Sequence, residues 1–170
     1  MLTMVPGLLA ARAGHALMLP LFSAILRQGK PLMPRYTLMA EATSILAALY
    51  LALFIVAGGK LVAIAFGSAY AGQDAVVSWL AAMWTMRMLQ AVPGMALMAA
   101  GETKPFLVAG LIRAGVLPAV LYAALHGATL AEIAAIGCAG EALSLLYVAI
   151  RLESLEAGLG RILVSRALFV

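Results

Sequence analysis

The sequence predicts an all-α fold: a polytopic bundle of about five transmembrane helices, followed by a C-terminal interfacial helix. Three observations predict it. Of 170 residues, 65% are hydrophobic and only 11% are charged, with a mean hydropathy of +1.08, whereas a soluble domain is about 25% charged. Apolar runs of roughly 20 residues, enough to cross a hydrocarbon core of ~30 Å, recur between short polar turns. The lysines and arginines of those turns are divided very unequally between alternate loops, as in a chain threaded through a bilayer.

The first span is residues 4–26, MVPGLLAARAGHALMLPLFSAIL, in which Arg12 and His15 share a helical face and Pro20 bends the end. A polar turn, RQGKPLMPRY, leads to a second span over 37–57, with Thr37, Glu41 and Ser44 on one face of its first turns. Glu41 lies about one turn from the basic loop, so a salt bridge at the membrane edge is expected of it. Gly58-Gly59-Lys60 is expected to break this helix. The segment 61–70 is then too short to cross and reads as an interfacial or re-entrant piece, with Tyr70 at headgroup level.

The third span, 75–100, carries a single formal charge, Arg87, close to its middle. Pro93-Gly94 is placed to kink or loosen it, and Gly101-Glu102-Thr103-Lys104-Pro105 ends it. The fourth span covers 105–125 and contains Arg113 and Pro118. After the turn His126-Gly127-Ala128-Thr129 comes a fifth span over 129–150, with Glu132 near its start and Glu141 about halfway along. Its Ala134, Gly137 and Gly140 favour close helix approach. Residues 156–170 mix charge with leucine, as an interfacial helix or the start of a further span does.

Counting cations in the loops orients the bundle. Arg27, Lys30, Arg35, Lys104, Arg151, Arg161 and Arg166 fall on one side, and Lys60, with His126 beside it, on the other. The larger group marks the cytoplasmic face, so the 27–35 loop and the C-terminus are expected there, in a multi-pass protein of the inner (plasma) membrane. The N-terminus then lies outside, and an odd number of spans beginning outside is expected of a fragment lacking at least one preceding helix. The first 26 residues do not read as a cleavable signal, because they lack a basic leading region and Arg12 interrupts the apolar run. Orientation also explains the net charge of +4, so no nucleic-acid partner is expected. Cys138 is the single cysteine, which excludes an intrachain disulfide, and neither CxxC nor HExxH spacing is present. No metal or cofactor is expected.

Arg87 is the main functional clue. At ~1.5 Å per residue it sits on the order of 18 Å from either end of its span. An unpaired guanidinium near the bilayer centre costs at least ~2.5 kcal/mol, so it should face a wet cavity or an acidic partner. Trp84 and Gln90 lie three residues to either side and share its face. Met83, Met86 and Met88 are available as a soft wall around it. Arg12 and Arg113 are the other arginines within spans. Each has a competing reading, snorkelling to the interface for Arg113 and a structural ion pair with Glu141 or Glu41 for Arg87. Glu141 is read either as the partner of an arginine or as a coupling-ion site.

The order of punctuation resembles a known family. It runs LPLFSAI (19–25), a basic loop, a span, AFGSAY (65–70), a long helix ending in AAGETKP (99–105), then two further spans. This looks like the polysaccharide transporter branch of the multidrug/oligosaccharidyl-lipid/polysaccharide exporter superfamily, the lipid-linked oligosaccharide flippases, over about residues 5–155. The resemblance implies a transporter of two pseudo-symmetric lobes around a central cavity, of which this chain corresponds to most of one. It also implies a prenyl-diphosphate-linked glycan as substrate, in the building of cell-surface polysaccharide such as the O-antigen of lipopolysaccharide. A diphosphate needs fixed cations, and arginine supplies planar paired donors. Arg87, Arg113 and Arg12, with Gln90 and Trp84, are therefore the expected binding residues, and Glu141 and Glu41 the expected ion-pair or coupling residues. The competing readings are a multidrug or cation antiporter of the same superfamily and a non-transporting membrane scaffold. A membrane-embedded enzyme is disfavoured, because Glu153 and Glu156 are the only close acidic pair and they fall in the tail.

Overall fold

The computed structural model describes residues 17–67 and 72–167, with side chains as far as residue 154. Within them the fold is all helix. The elements are α1 (Leu17–Arg27), α2 (Met33–Phe66), α3 (Asp74–Ala99), α4 (Lys104–Gly115), α5 (Leu117–Leu125) and α6 (Leu130–Ala167). Four stretches are long and apolar enough to cross a membrane: α2, α3, α4 with α5 as Lys104–Leu125, and Leu130–Ser154 of α6. Residues 4–16 of the first expected span, with Arg12 and His15, lie outside the described residues, as does Tyr70.

Two expectations need correction. Gly58-Gly59-Lys60 does not end a helix: α2 runs through it for 34 residues, and 61–66 is its last turns, not a separate interfacial piece. Both glycines are buried because α3 comes too close for a side chain. A Cβ on Gly58 would stand 2.6 Å from Val77 Cγ1, and one on Gly59 would stand 1.8 Å from Asp74 Oδ1. The pair is a packing notch, and the chain leaves the helix only at Gly67, whose φ of 94° is open to glycine but strained for other residues. The second correction concerns the tail. No boundary separates 156–167 from the fifth span, since α6 continues unbroken for 38 residues to Ala167; residues 168–170 lie outside the described ones. At ~1.5 Å per residue it is about 57 Å long, well beyond a hydrocarbon core of ~30 Å.

Pro93 and Gly94 are buried inside an uninterrupted α3. Proline has no N–H to return to the carbonyl four residues earlier, and Gly94 leaves room for the Phe106 ring, whose tip would lie 2.8 Å from a Cβ there. The fourth span, by contrast, is broken for one residue at Val116, just ahead of Pro118.

Packing makes α3 and α6 the middle of the bundle: α2 lies against α3, α3 against α6, and α4 and α5 against α6. One apolar cluster joins Phe22 of α1, Val92, Met95, Ala96 and Leu97 of α3, Ala109 of α4, and Val148 and Leu152 of α6. A second, toward the opposite end, joins Phe54 of α2 to Val77 and Ala81 of α3. α3 and α4 touch at Phe106–Gly94, near their joining turn, and at Arg113–Gln90, and α6 lies against both. The polar residues of the interior stand where these three helices meet.

Candidate functional site

The site is built on two helices running in the same direction. Arg87 and Gln90 share a face of α3 at a spacing of three residues, and Glu141 and Ser144 do the same on α6. The two faces meet as a ladder. Arg87 Nη2 lies 2.6 Å from Glu141 Oε1, and Arg87 Nε donates to the same oxygen at 2.7 Å. One turn on, Gln90 Nε2 donates to Ser144 Oγ at 3.0 Å. Arg113 closes the arrangement from α4. Its Nε lies 2.9 Å from Glu141 Oε2 and its Nη2 donates to Gln90 Oε1. Trp84 lies one turn before Arg87, with the guanidinium carbon 4.9 Å from its ring centre, a cation–π contact that adds to the hold on Arg87.

One carboxylate thus serves two guanidinium groups. Glu141 is 3% exposed, while the side chains of Arg87 and Arg113 are 38% and 36% exposed. The cluster carries two positive charges and one negative, so it retains one unit of positive charge. Each arginine has five N–H donors, and the contacts above use only part of that number on each. The spare donors belong to side chains that are partly exposed, although Arg113 Nε is itself buried, and the carboxylate is the sealed group. Arrangements of this kind hold a fixed cation in place and leave part of its hydrogen-bonding capacity for an anionic or oxygen-rich visitor.

Arg87, Arg113, Gln90, Trp84 and Glu141 come together in this geometry, and Glu141 is paired with both arginines. Arg113 does not snorkel: its head turns inward to Glu141 and Gln90. Gln90 serves Arg113 and Ser144, not the Arg87 on its own helix face. Glu41 stays apart, exposed on α2, and the ion pairs found among the described residues are those of Glu141 with Arg87 and Arg113. The expected salt bridge at its edge of the membrane is therefore not formed. Two of the methionines near Arg87 pack on α6, Met86 with its Sδ 4.0 Å from the Cys138 thiol and Met83 beside Gly137, and Met88 is buried. Among the described residues no group of histidine, cysteine and acidic side chains could hold a metal ion.

Ser144 is the member that sequence reasoning missed. Its signal was available, since it follows Glu141 by three residues and so had to share its helix face. Comparison of this chain with protein-family models, with curated proteins and with solved structures finds no match.

Proposed function

We propose that this chain belongs to a membrane carrier for anionic, lipid-linked glycan precursors, a flippase or exporter serving cell-surface polysaccharide assembly. The observation that carries the reading is the unbalanced charge of the Arg87–Glu141–Arg113 cluster, deep in the spans, with both arginine side chains more than a third exposed. A surplus cation at this depth is costly unless an anion answers it. A diphosphate headgroup answers it with several acceptor oxygens, matched to the fork of an arginine. The prenyl tail would remain in lipid while the headgroup passes along the cationic face. Transport of this kind proceeds by rocking of one helical repeat against another. The likeness of LPLFSAI, AFGSAY and AAGETKP, in order, to the polysaccharide transporter branch supports the same reading. A multidrug or cation antiporter fits less well, because the cluster's net charge repels a cationic cargo.

A non-transporting scaffold is the second reading. It is favoured by the direct contact of both arginines with Glu141, which locks α3, α4 and α6 together whether or not a ligand arrives. Translocation of a fluorescent prenyl-diphosphate sugar in proteoliposomes separates the two. The carrier reading expects transport by the unaltered chain, a loss of tenfold or more in Arg87→Ala and Arg113→Ala, and partial recovery in Arg87→Lys. Transport that survives both alanine substitutions, or a folded unaltered chain that moves no substrate, would overturn it.

A further inference from the structure

α3 is enclosed toward one end and open toward the other. Val92, Pro93, Gly94, Met95, Ala96 and Leu97 are buried one after another. At 3.6 residues per turn, such a run goes more than once around the helix, so this stretch is covered on every side. Between Asp74 and Met88 the buried residues are Val77, Ala81, Trp84, Thr85 and Met88, which fall on a single face. α5, which leads from beside Arg113 toward the Asp74 end, buries no residue. Its span, Lys104–Leu125, is the least buried of the four.

α1 closes the enclosed end. Phe22 is 0% exposed and the largest of the fully buried side chains, and it shares one apolar cluster with residues of α3, α4 and α6. Met18, Leu19 and Ile25 of α1 pack on the same cluster. The three helices that meet at the charged site therefore meet again around Phe22. That second meeting lies nearer the end carrying Arg27, Lys30 and Arg35: Ala109 is one turn from Arg113 along α4, and Val148 two turns from Glu141 along α6. A dry apolar constriction excludes water and, with it, any charged group. The arginines stand just beyond it, at the edge of the open half, with side chains 38% and 36% exposed.

We propose that Phe22 is the plug of a one-sided gate. It closes the Arg87–Glu141–Arg113 cluster from the Arg27–Arg35 end and leaves it open to anions from the end that carries Lys60 and Asp74. An anion crossing from one end to the other must wait for α1 to withdraw the ring. The proposal deepens the carrier reading by assigning the end at which the site is open, and it rests on that reading only for the identity of the visitor.

The test uses two impermeant anionic thiol reagents of different mass on chains in proteoliposomes, all carrying Cys138→Ala. The first is added outside, the second after permeabilisation, and intact-protein mass spectrometry reads which reagent sits on each thiol of one chain. In the Lys60→Cys/Arg113→Cys chain both thiols should carry the same reagent, whichever way the chain is inserted. In the Lys30→Cys/Arg113→Cys chain they should carry different ones. Phe22→Ser added to the second pair should admit water past the plug, so that chains bearing the first reagent on both thiols appear. Met95→Ser, from the α3 side of the same cluster, should do likewise. A thiol at position 113 that follows position 30, or that is labelled from neither side, would overturn the proposal. So would an unchanged pattern in both serine variants with helix content intact. No transported substrate enters the assay, so a chain that labels this way but moves no prenyl-diphosphate sugar sinks the carrier reading and leaves the gate standing.

Discussion

Glu141→Gln is the sharpest perturbation the fold offers, because one buried carboxylate answers two cations. Its oxygens lie 2.6 Å from Arg87 Nη2 and 2.9 Å from Arg113 Nε. Two guanidinium groups gripping a single carboxylate have centres roughly 7 Å apart, so with the charge removed their repulsion is about 2.4 kcal/mol at an effective dielectric of 20. Removing one partner from a buried ion pair costs about 3–5 kcal/mol in general. The arginines are 38% and 36% exposed, and solvent screening moves the expectation to the lower end. Glu141→Gln should therefore destabilise the bundle by about 3 kcal/mol. Arg87→Met or Arg113→Met alone should cost less, about 1–2 kcal/mol, since the carboxylate keeps its other partner. Replacing all three with apolar residues of similar volume should return most of the stability. Unfolding in mixed dodecylmaltoside–SDS micelles gives the free energies, and Trp84, in contact with Arg87, reports the site by its fluorescence. A Glu141→Gln chain within ~0.5 kcal/mol of the unaltered one would refute the reasoning, because it would mean the carboxylate neutralises nothing that matters.

Other outcomes follow from close packing and capping. Gly58→Ala should destabilise by about 1–3 kcal/mol, because its methyl meets the buried, β-branched Val77 at 2.6 Å; Gly59→Ala should cost less, since the obstructing Asp74 carboxylate is on an exposed side chain that can turn away. The same micelle unfolding measures both. Gly140→Ala should cost a comparable amount to Gly58→Ala, as its methyl would meet Val116 Cγ2 at 2.7 Å, and should loosen α4–α5 from α6 as seen by faster amide exchange in Leu117–Leu125. Thr129→Ala removes the hydroxyl that donates to Glu132 Oε2 at 2.9 Å and accepts from the Glu132 N–H. It should fray the start of α6 by about 1 kcal/mol, visible as exchange confined to its first turn.

Glycines and arginines show how far residues reveal themselves before folding. Gly101 and Gly127 were legible as turn residues, and both sit at positive φ, 84° and 79°. Gly58-Gly59 carried the same local signal but serves the opposite end, because a missing side chain either frees the backbone or admits a neighbour, and only the position of Val77 and Asp74 decides which. Arg87 was legible as a problem, a charge in the middle of an apolar helix. Glu141 was legible as one of two possible answers. The choice of Glu141 over Glu41 was not, since both are acids within apolar stretches and α3 packs on both of those helices. Facing direction settled it: Glu141 is turned into the α3–α6 seam, while Glu41 is turned away from the bundle.

Composition and the lengths of apolar runs by themselves determined that this chain is a helical membrane bundle, because a bilayer leaves the backbone few ways to satisfy its polar groups. The turns and the placement of cations along the chain were equally local, and they too followed from residue identity. What only the tertiary structure decided is who meets whom inside. Arg113 comes to the carboxylate that Arg87 already holds, Gln90 reaches across to Ser144 and Arg113, and a glycine pair becomes a seam instead of a break. These outcomes depend on the rotation and proximity of whole helices, which are set by the summed packing of many apolar contacts and written in no single residue.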